Sequence, residues 1–181
     1  MSRWITLSFL LLTGCAMRIP GGGELPPLPA VEALGCCWLT EEQVTVENDD
    51  GAQVLGVAVE VYADLLTLVI LDPTGRQLLT IRYDGDSLQE LTTPPGWDSR
   101  YSHYLALAVF LHHAQEGSWL QRPSPWQVKS TYPVKKLQRG NSTIISLTYT
   151  DPEQSTTQTR VLDLAGSGQR ITVTTLRRRE L

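Results

Sequence analysis

Much that would announce a function is scarce in these 181 residues. There are only three cysteines, Cys15, Cys36 and Cys37, and no Cys/His spacing suggests a structural metal. A disulfide-rich secreted scaffold is excluded on the same count. Aromatic residues make up 7% of the chain, and 15 Lys and Arg face 19 Asp and Glu for a net charge of −4. So few clustered bases argue against nucleic acid as a partner. No later apolar run reaches the roughly 20 residues that a spanning helix needs. Catalytic signatures are equally thin. Acidic residues are dispersed over strand ends and turns, with no paired-carboxylate context. Gly166-Ser167-Gly168 lacks the spacing of a nucleophile elbow and falls between two strand patterns, so it reads as a hairpin turn. No catalytic residue and no cofactor is expected.

What is present begins at the N-terminus. Arg3 precedes a short, mostly apolar stretch ending in Leu12-Thr13-Gly14-Cys15. A basic residue, a short apolar segment and small residues leading into a cysteine read as a secretory signal over residues 1–14. The alternative is a short buried helix ending in an ordinary cysteine. The signal reading makes Cys15 the lipid-attachment residue and the first residue of the processed chain. Each buried acyl CH₂ contributes about 0.8 kcal/mol, so an acylated terminus anchors a protein that has no spanning segment. Ala16 follows the cysteine where an Asp would resemble an inner-membrane retention signal, which favours the outer membrane, periplasmic face. Residues 15–30 hold Gly21-Gly22-Gly23 and Pro26-Pro27-Leu28-Pro29, a flexible and then stiff leash. Residues 31–181 form one domain.

That domain reads as strand after strand from Gln43. Leu55, Val57, Val59 and Val61 alternate with small or polar residues, the period of a half-buried strand. Residues 65–71 are a nearly unbroken apolar run, which suits a strand buried on both faces. Asp72-Pro73-Thr74-Gly75 is a turn, with Pro pre-setting φ and Gly75 free to take a positive one. Residues 79–83 return as the hairpin partner, and Asp84-Gly85-Asp86 turns into a short strand over 87–91. After Pro94-Pro95-Gly96, Asp98 or Ser99 can cap a helix running to about Glu116, where Gly117 can stop it. This helix is apolar around most of its circumference and should lie inside a curved sheet. Strands follow at 126–130, 134–137, 145–149, 161–164 and 171–176. The expected fold is mainly β: an incomplete antiparallel barrel of about nine strands around a central helix. Leu107, Phe110 and Leu111 on that helix are the candidate cavity-lining residues.

His112 and His113 are adjacent on the helix, so their side chains diverge by roughly 100° and are poorly placed to share one metal. They read as a helix-end pair, one near solvent and one partly packed. Neighbouring Cys36 and Cys37 rarely meet disulfide geometry, so they are expected reduced and packed. Arg177-Arg178-Arg179 is the basic cluster; it reads as a solvated tail, with contact to phospholipid headgroups as the alternative.

The order of these motifs resembles the LolA/LolB class of periplasmic lipoprotein carriers and receptors, with LolB the nearer. The resemblance is carried by residues 66–79 and by the run 162–171, Leu-Asp-Leu-Ala-Gly-Ser-Gly-Gln-Arg-Ile. The chain is also similar to a family of small lipoproteins often encoded beside fatty-acid or aryl-polyene synthesis genes, through Pro73-Thr74-Gly75-Arg76-Gln77-Leu78 and Ile81-Arg82-Tyr83-Asp84-Gly85. The resemblance implies an apolar half-barrel that accepts acyl chains, and a membrane-facing turn at Pro73, Thr74 and Gly75. In LolB that turn presents an exposed leucine; here the position is Thr74, which forgoes most of the roughly 2 kcal/mol an inserted leucine offers. The implied protein is a non-enzymatic outer-membrane lipoprotein that binds or places a lipid or acyl molecule, an aryl-polyene lipid being one such cargo. Its partners would be the membrane, that ligand and a periplasmic carrier protein. The alternative is an accessory lipoprotein that binds a protein through an exposed sheet edge.

Overall fold

The structure is a computed structural model that describes residues 24–49, 51–114, 124–150, 158–165, 167 and 169–181. Ten strands form one antiparallel sheet in the order β5-β4-β3-β2-β1-β10-β9-β8-β7-β6. They are β1 Trp38–Asn48, β2 Gly51–Tyr62, β3 Leu65–Leu71, β4 Gln77–Tyr83, β5 Leu88–Thr92, β6 Trp126–Thr131, β7 Val134–Arg139, β8 Ser142–Tyr149, β9 Thr159–Leu164 and β10 Arg170–Glu180. Two five-strand meanders meet where β1 pairs with β10, and the outermost strands β5 and β6 do not pair with each other. The barrel is therefore open.

Helix α1, Ser99–His113, links the two outer strands and fills the concave side. The carboxylate of Asp98 caps it by accepting from the Arg100 backbone N–H at 3.0 Å. The helix ends earlier than expected because Ala114 turns extended and the Lys135 ammonium donates to the His112 carbonyl at 3.3 Å. Its buried residues (Tyr101, Ser102, Tyr104, Ala106, Leu107, Val109, Phe110 and Leu111) cover most of its circumference, as its apolar sequence requires. Phe110 meets the edge of Tyr83 on β4, and His112 meets Tyr149 on β8, so both meanders curl around one helix.

Strand alternation supplies the lining. Val57, Val59 and Val61 on β2 lie opposite Ile70, Leu68 and Leu66 on β3, and Leu79, Ile81 and Tyr83 continue the same face. Each fully buried side chain of this kind contributes about 1.5–3 kcal/mol. β3 departs from expectation: Leu66 and Leu68 are buried, but Leu65 and Val69 are only half-buried. Along β3 the buried positions all face the helix side, so its apolar run does not mean burial on both faces.

The sheet holds ten strands where about nine were expected, and strand β1 begins at Trp38, ahead of the Gln43 from which strand was expected. Its concave face reads Trp38, Thr40, Glu42, Val44 and Val46, so two polar residues interrupt the apolar alternation. The run Arg177-Arg178-Arg179 is likewise strand, not tail: it pairs with Glu41, Thr40 and Leu39 at the centre of the sheet, although its side chains remain exposed. Cys36 and Cys37 are joined to each other across a cis peptide, with Cα atoms 3.1 Å apart, where separate packed thiols were expected.

Ahead of β1, residues 24–34 lie across the helix. Pro26 and Pro29 are buried, and Val31 and Leu34 of a short 3-10 helix, Val31–Leu34, join the core. The Pro26 carbonyl lies 2.6 Å from Nε2 of His103 on α1, and the Tyr83 phenol, which donates to the Gly85 carbonyl at 2.6 Å, lies 3.3 Å from the Leu28 carbonyl. Glu24 pairs with Arg139 of β7 at 3.3 Å. The segment thus runs from the β6–β7 side to the β4 side, strapping the gap between the sheet's edges. The part of the proline-rich leash that is described is docked, because its prolines find apolar cover. The signal segment, Cys15, Ala16 and the three glycines lie outside the described residues.

Candidate functional site

Two ends of the half-barrel matter, and the strand register separates them. Trp38, Val61, Leu66 and Tyr83 form one row near one end. The Asp72–Arg76 turn lies at the other.

At that other end Pro73, Thr74 and Gly75 are all exposed. Asp72 Oδ1 accepts from the backbone N–H groups of Thr74 at 2.9 Å and Arg76 at 3.0 Å, and from Thr74 Oγ1 at 2.5 Å. Those bonds, led by the Thr74 hydroxyl, hold the Asp72 carboxyl below its usual range. Gly75 takes φ 83°, as the turn sequence predicts. Thr74 therefore serves the turn's own geometry.

The candidate cavity residues Leu107, Phe110 and Leu111 sit in the packed core, each at most 1% exposed. A shallow open depression of about 700 Å³ lies elsewhere, lined among others by Thr148, Val161, Asp163 and Arg170. Along β8 and β9 these alternate with the buried Leu147 and Leu162, which places the depression on the convex face.

The end near Trp38 carries the dense chemistry. His112 and His113 turn inward together, their rings 4.2 Å apart. His113 stacks on Trp38 at 4.3 Å, and His112 Nδ1 shares a 2.9 Å hydrogen bond with Tyr149 Oη. The expected solvent-facing partner is thus absorbed as well, because the curled sheet reaches the helix end from both sides. Each residue keeps some solvent access, yet its ring is crowded by protein. Burial first, and then the cations of Arg160, Arg178 and Lys135, hold both imidazoles well below their ordinary pKa, so they are neutral near pH 7. Burial raises the Tyr149 phenol, with Arg160 opposing.

Beneath them Arg160 donates to Glu42 Oε1 at 2.7 Å and to Thr175 Oγ1 at 3.1 Å. Both charged side chains are under 8% exposed. A buried carboxylate without this guanidinium would be untenable, so β1 and β9 specify each other's charges across β10. Arg178 owes its direction to a β-bulge. The register slips between Glu41 and Glu42, leaving Leu176 as the extra residue and setting Arg178 opposite Thr40 on the concave face. Its guanidinium lies 5.0 Å over the Trp38 ring.

Sequence reasoning missed Glu42, Arg160, Lys135 and Tyr149. A signal was available: charged residues at inward positions of otherwise alternating strands. Among the described residues no group of three or more His, Cys, Asp or Glu side chains is placed to hold a metal ion. No helix among them is long and apolar enough to cross a membrane.

The molecule is an open, single-sheet antiparallel half-barrel, filled by one helix and crossed by an N-terminal strap. The chain belongs to the family described as "Protein of unknown function (DUF3261)", whose sequence pattern matches residues 40–177. No curated protein matches it.

Proposed function

We propose that the protein is a non-enzymatic, LolA/LolB-like lipoprotein, anchored through Cys15 to the outer membrane on its periplasmic side, that binds or places a lipid or acyl molecule. The observation that supports this reading is the open sheet. Strands β5 and β6 leave a gap, and behind it an apolar face is filled by a helix and a strap instead of by closing strands. An acyl chain entering beside the helix would gain about 0.8 kcal/mol per CH₂ buried.

The anchor's direction fits. Glu24 lies at the end of the half-barrel that carries the Thr74 turn, since Arg139 pairs with Ser142 where β7 meets β8. Nine peptide steps separate Cys15 from Glu24 and span at most about 30 Å. In this reading the Thr74 end is the one nearer the membrane, and the histidine-bearing end is the one that would meet a periplasmic carrier.

The test is titration of the detergent-free domain with a fluorescent fatty-acyl probe, alongside mass spectrometry of extracted lipid. Stoichiometric binding at micromolar concentration is expected. A domain that carries no lipid and binds no probe would promote the accessory reading, in which a protein partner pairs with a sheet edge.

A further inference from the structure

At the concave end near Trp38 two cations, Lys135 and Arg178, keep hydrogen-bonding capacity that the fold does not fill. Arg160, Arg178 and Lys135 all act on the histidine pair; Glu42 bonds Arg160, Glu180 stands opposite Trp38 within ion-pair reach of Arg178, and Asp84, Asp86 and Glu32 act on Tyr83 in the same row. Arg160 is committed to Glu42 and Thr175. Lys135 has three ammonium donors and gives one to the His112 carbonyl. Arg178 lies over Trp38 and reaches the exposed Glu180 only at 3.7 Å. A second observation is independent of charge. Thr40, 1% exposed and opposite Arg178 in register, has a buried hydroxyl with no hydrogen-bond partner. In a chain of net charge −4, cations gathered on a concave face around two neutral imidazoles are placed for an anion.

We propose that this end of the half-barrel binds the anionic head group, carboxylate or phosphate, of an acyl-chain ligand, with Arg178 and Lys135 as its charged contacts and the Thr40 hydroxyl as a further donor. The proposal rests on the acyl-binding reading and adds the ligand's polar half. The apolar chain would lie along α1, and the head group would close the end that points away from the anchor. A bound anion would also offset the cations that disfavour His112 and His113 protonation, so both imidazoles should titrate at higher pH in the complex.

The test compares dodecanoate, dodecyl phosphate, dodecanol and inorganic phosphate on the same protein near neutral pH, by displacement of a fluorescent acyl probe and by NMR of the histidine rings. Both charged amphiphiles should bind about tenfold or more tightly than dodecanol. The double variant Lys135→Gln with Arg178→Gln should lose that preference while keeping its affinity for dodecanol. Both replaced side chains are partly exposed, and a matching thermal melt verifies the fold. Dodecyl phosphate should raise the pKa of both histidines in the parent protein but not in the double variant. Equal affinity for dodecanol and the charged amphiphiles would overturn the head-group proposal and leave acyl binding standing. Binding of inorganic phosphate alone, with the same histidine shift, would keep the anion site and overturn acyl binding. Binding of none of the four would overturn both.

Discussion

The two meanders line the same helix with different chemistry. The wall β2–β4 presents Val57, Val59, Val61, Leu66, Leu68, Leu79 and Ile81, with the Tyr83 phenol as its polar group and no buried charge. The opposite wall begins alike with Leu137, Ile145, Leu147 and Leu162, but towards the helix C-terminus it changes to Lys135, Tyr149 and Arg160. β1, at the seam, supplies Glu42 to neutralise Arg160. An apolar wall needs only volume and alternation. A wall with buried charge needs a named partner for each charge, so it constrains the fold more tightly and is the better candidate for recognition.

The largest effect that would sharpen this contrast is on the buried pair. Glu42→Ala should destabilise the domain by about 3–5 kcal/mol, because Arg160 is left charged and unpaired. Replacing both partners with apolar residues of similar size should recover most of that loss. Urea denaturation measures both, and a Glu42→Ala variant as stable as the parent would dissolve the distinction between the walls. On the apolar side Leu66→Ala should cost about 2–5 kcal/mol through the cavity it leaves. That loss should be independent of pH, unlike changes on the charged wall.

Acid should act through the charged wall. His112 and His113 have folded-state pKa values below their ordinary 6.5, so above that pH both states are neutral and they contribute no pH dependence. As pH falls below 6.5 the unfolded chain takes up protons that the folded protein refuses. Stability should then fall by up to about 1.4 kcal/mol per pH unit for each histidine, until the folded-state values are reached. His103, also lowered by burial, adds to the same trend. Denaturation curves across this range should flatten in a His112→Gln, His113→Gln variant; an unchanged slope would place the acid sensitivity elsewhere. The smallest effect is Arg178→Gln, which should cost no more than about 1 kcal/mol, since its contact with Trp38 is half-exposed.

Wherever burial followed apolar alternation, the fold was legible. Residues 55–62 and 145–149 read as strands, and of the two cap candidates, Asp98 and Ser99, the helix uses Asp98. The first half of β1, ahead of Gln43, was hidden because Thr40 and Glu42 occupy inward positions, so its hydrophobic pattern has no clean period of two. The same side chains hid the site. Glu42 looks like a surface carboxylate until Arg160, 118 residues away, is seen against it. Arg178 looks like part of a tail until the bulge at Leu176 turns it inward.

By itself the sequence determined a β-rich domain, the position of its helix, and the turns at Asp72 and Asp84, because alternation, capping and turn chemistry act between near neighbours. Only the tertiary structure decided that β1 and β10 join the meanders, that the proline-rich strap docks, and that four strands and a helix end gather their charges in one place. Those outcomes depend on long-range pairing, and a charge cannot show its burial until its distant partner is in place.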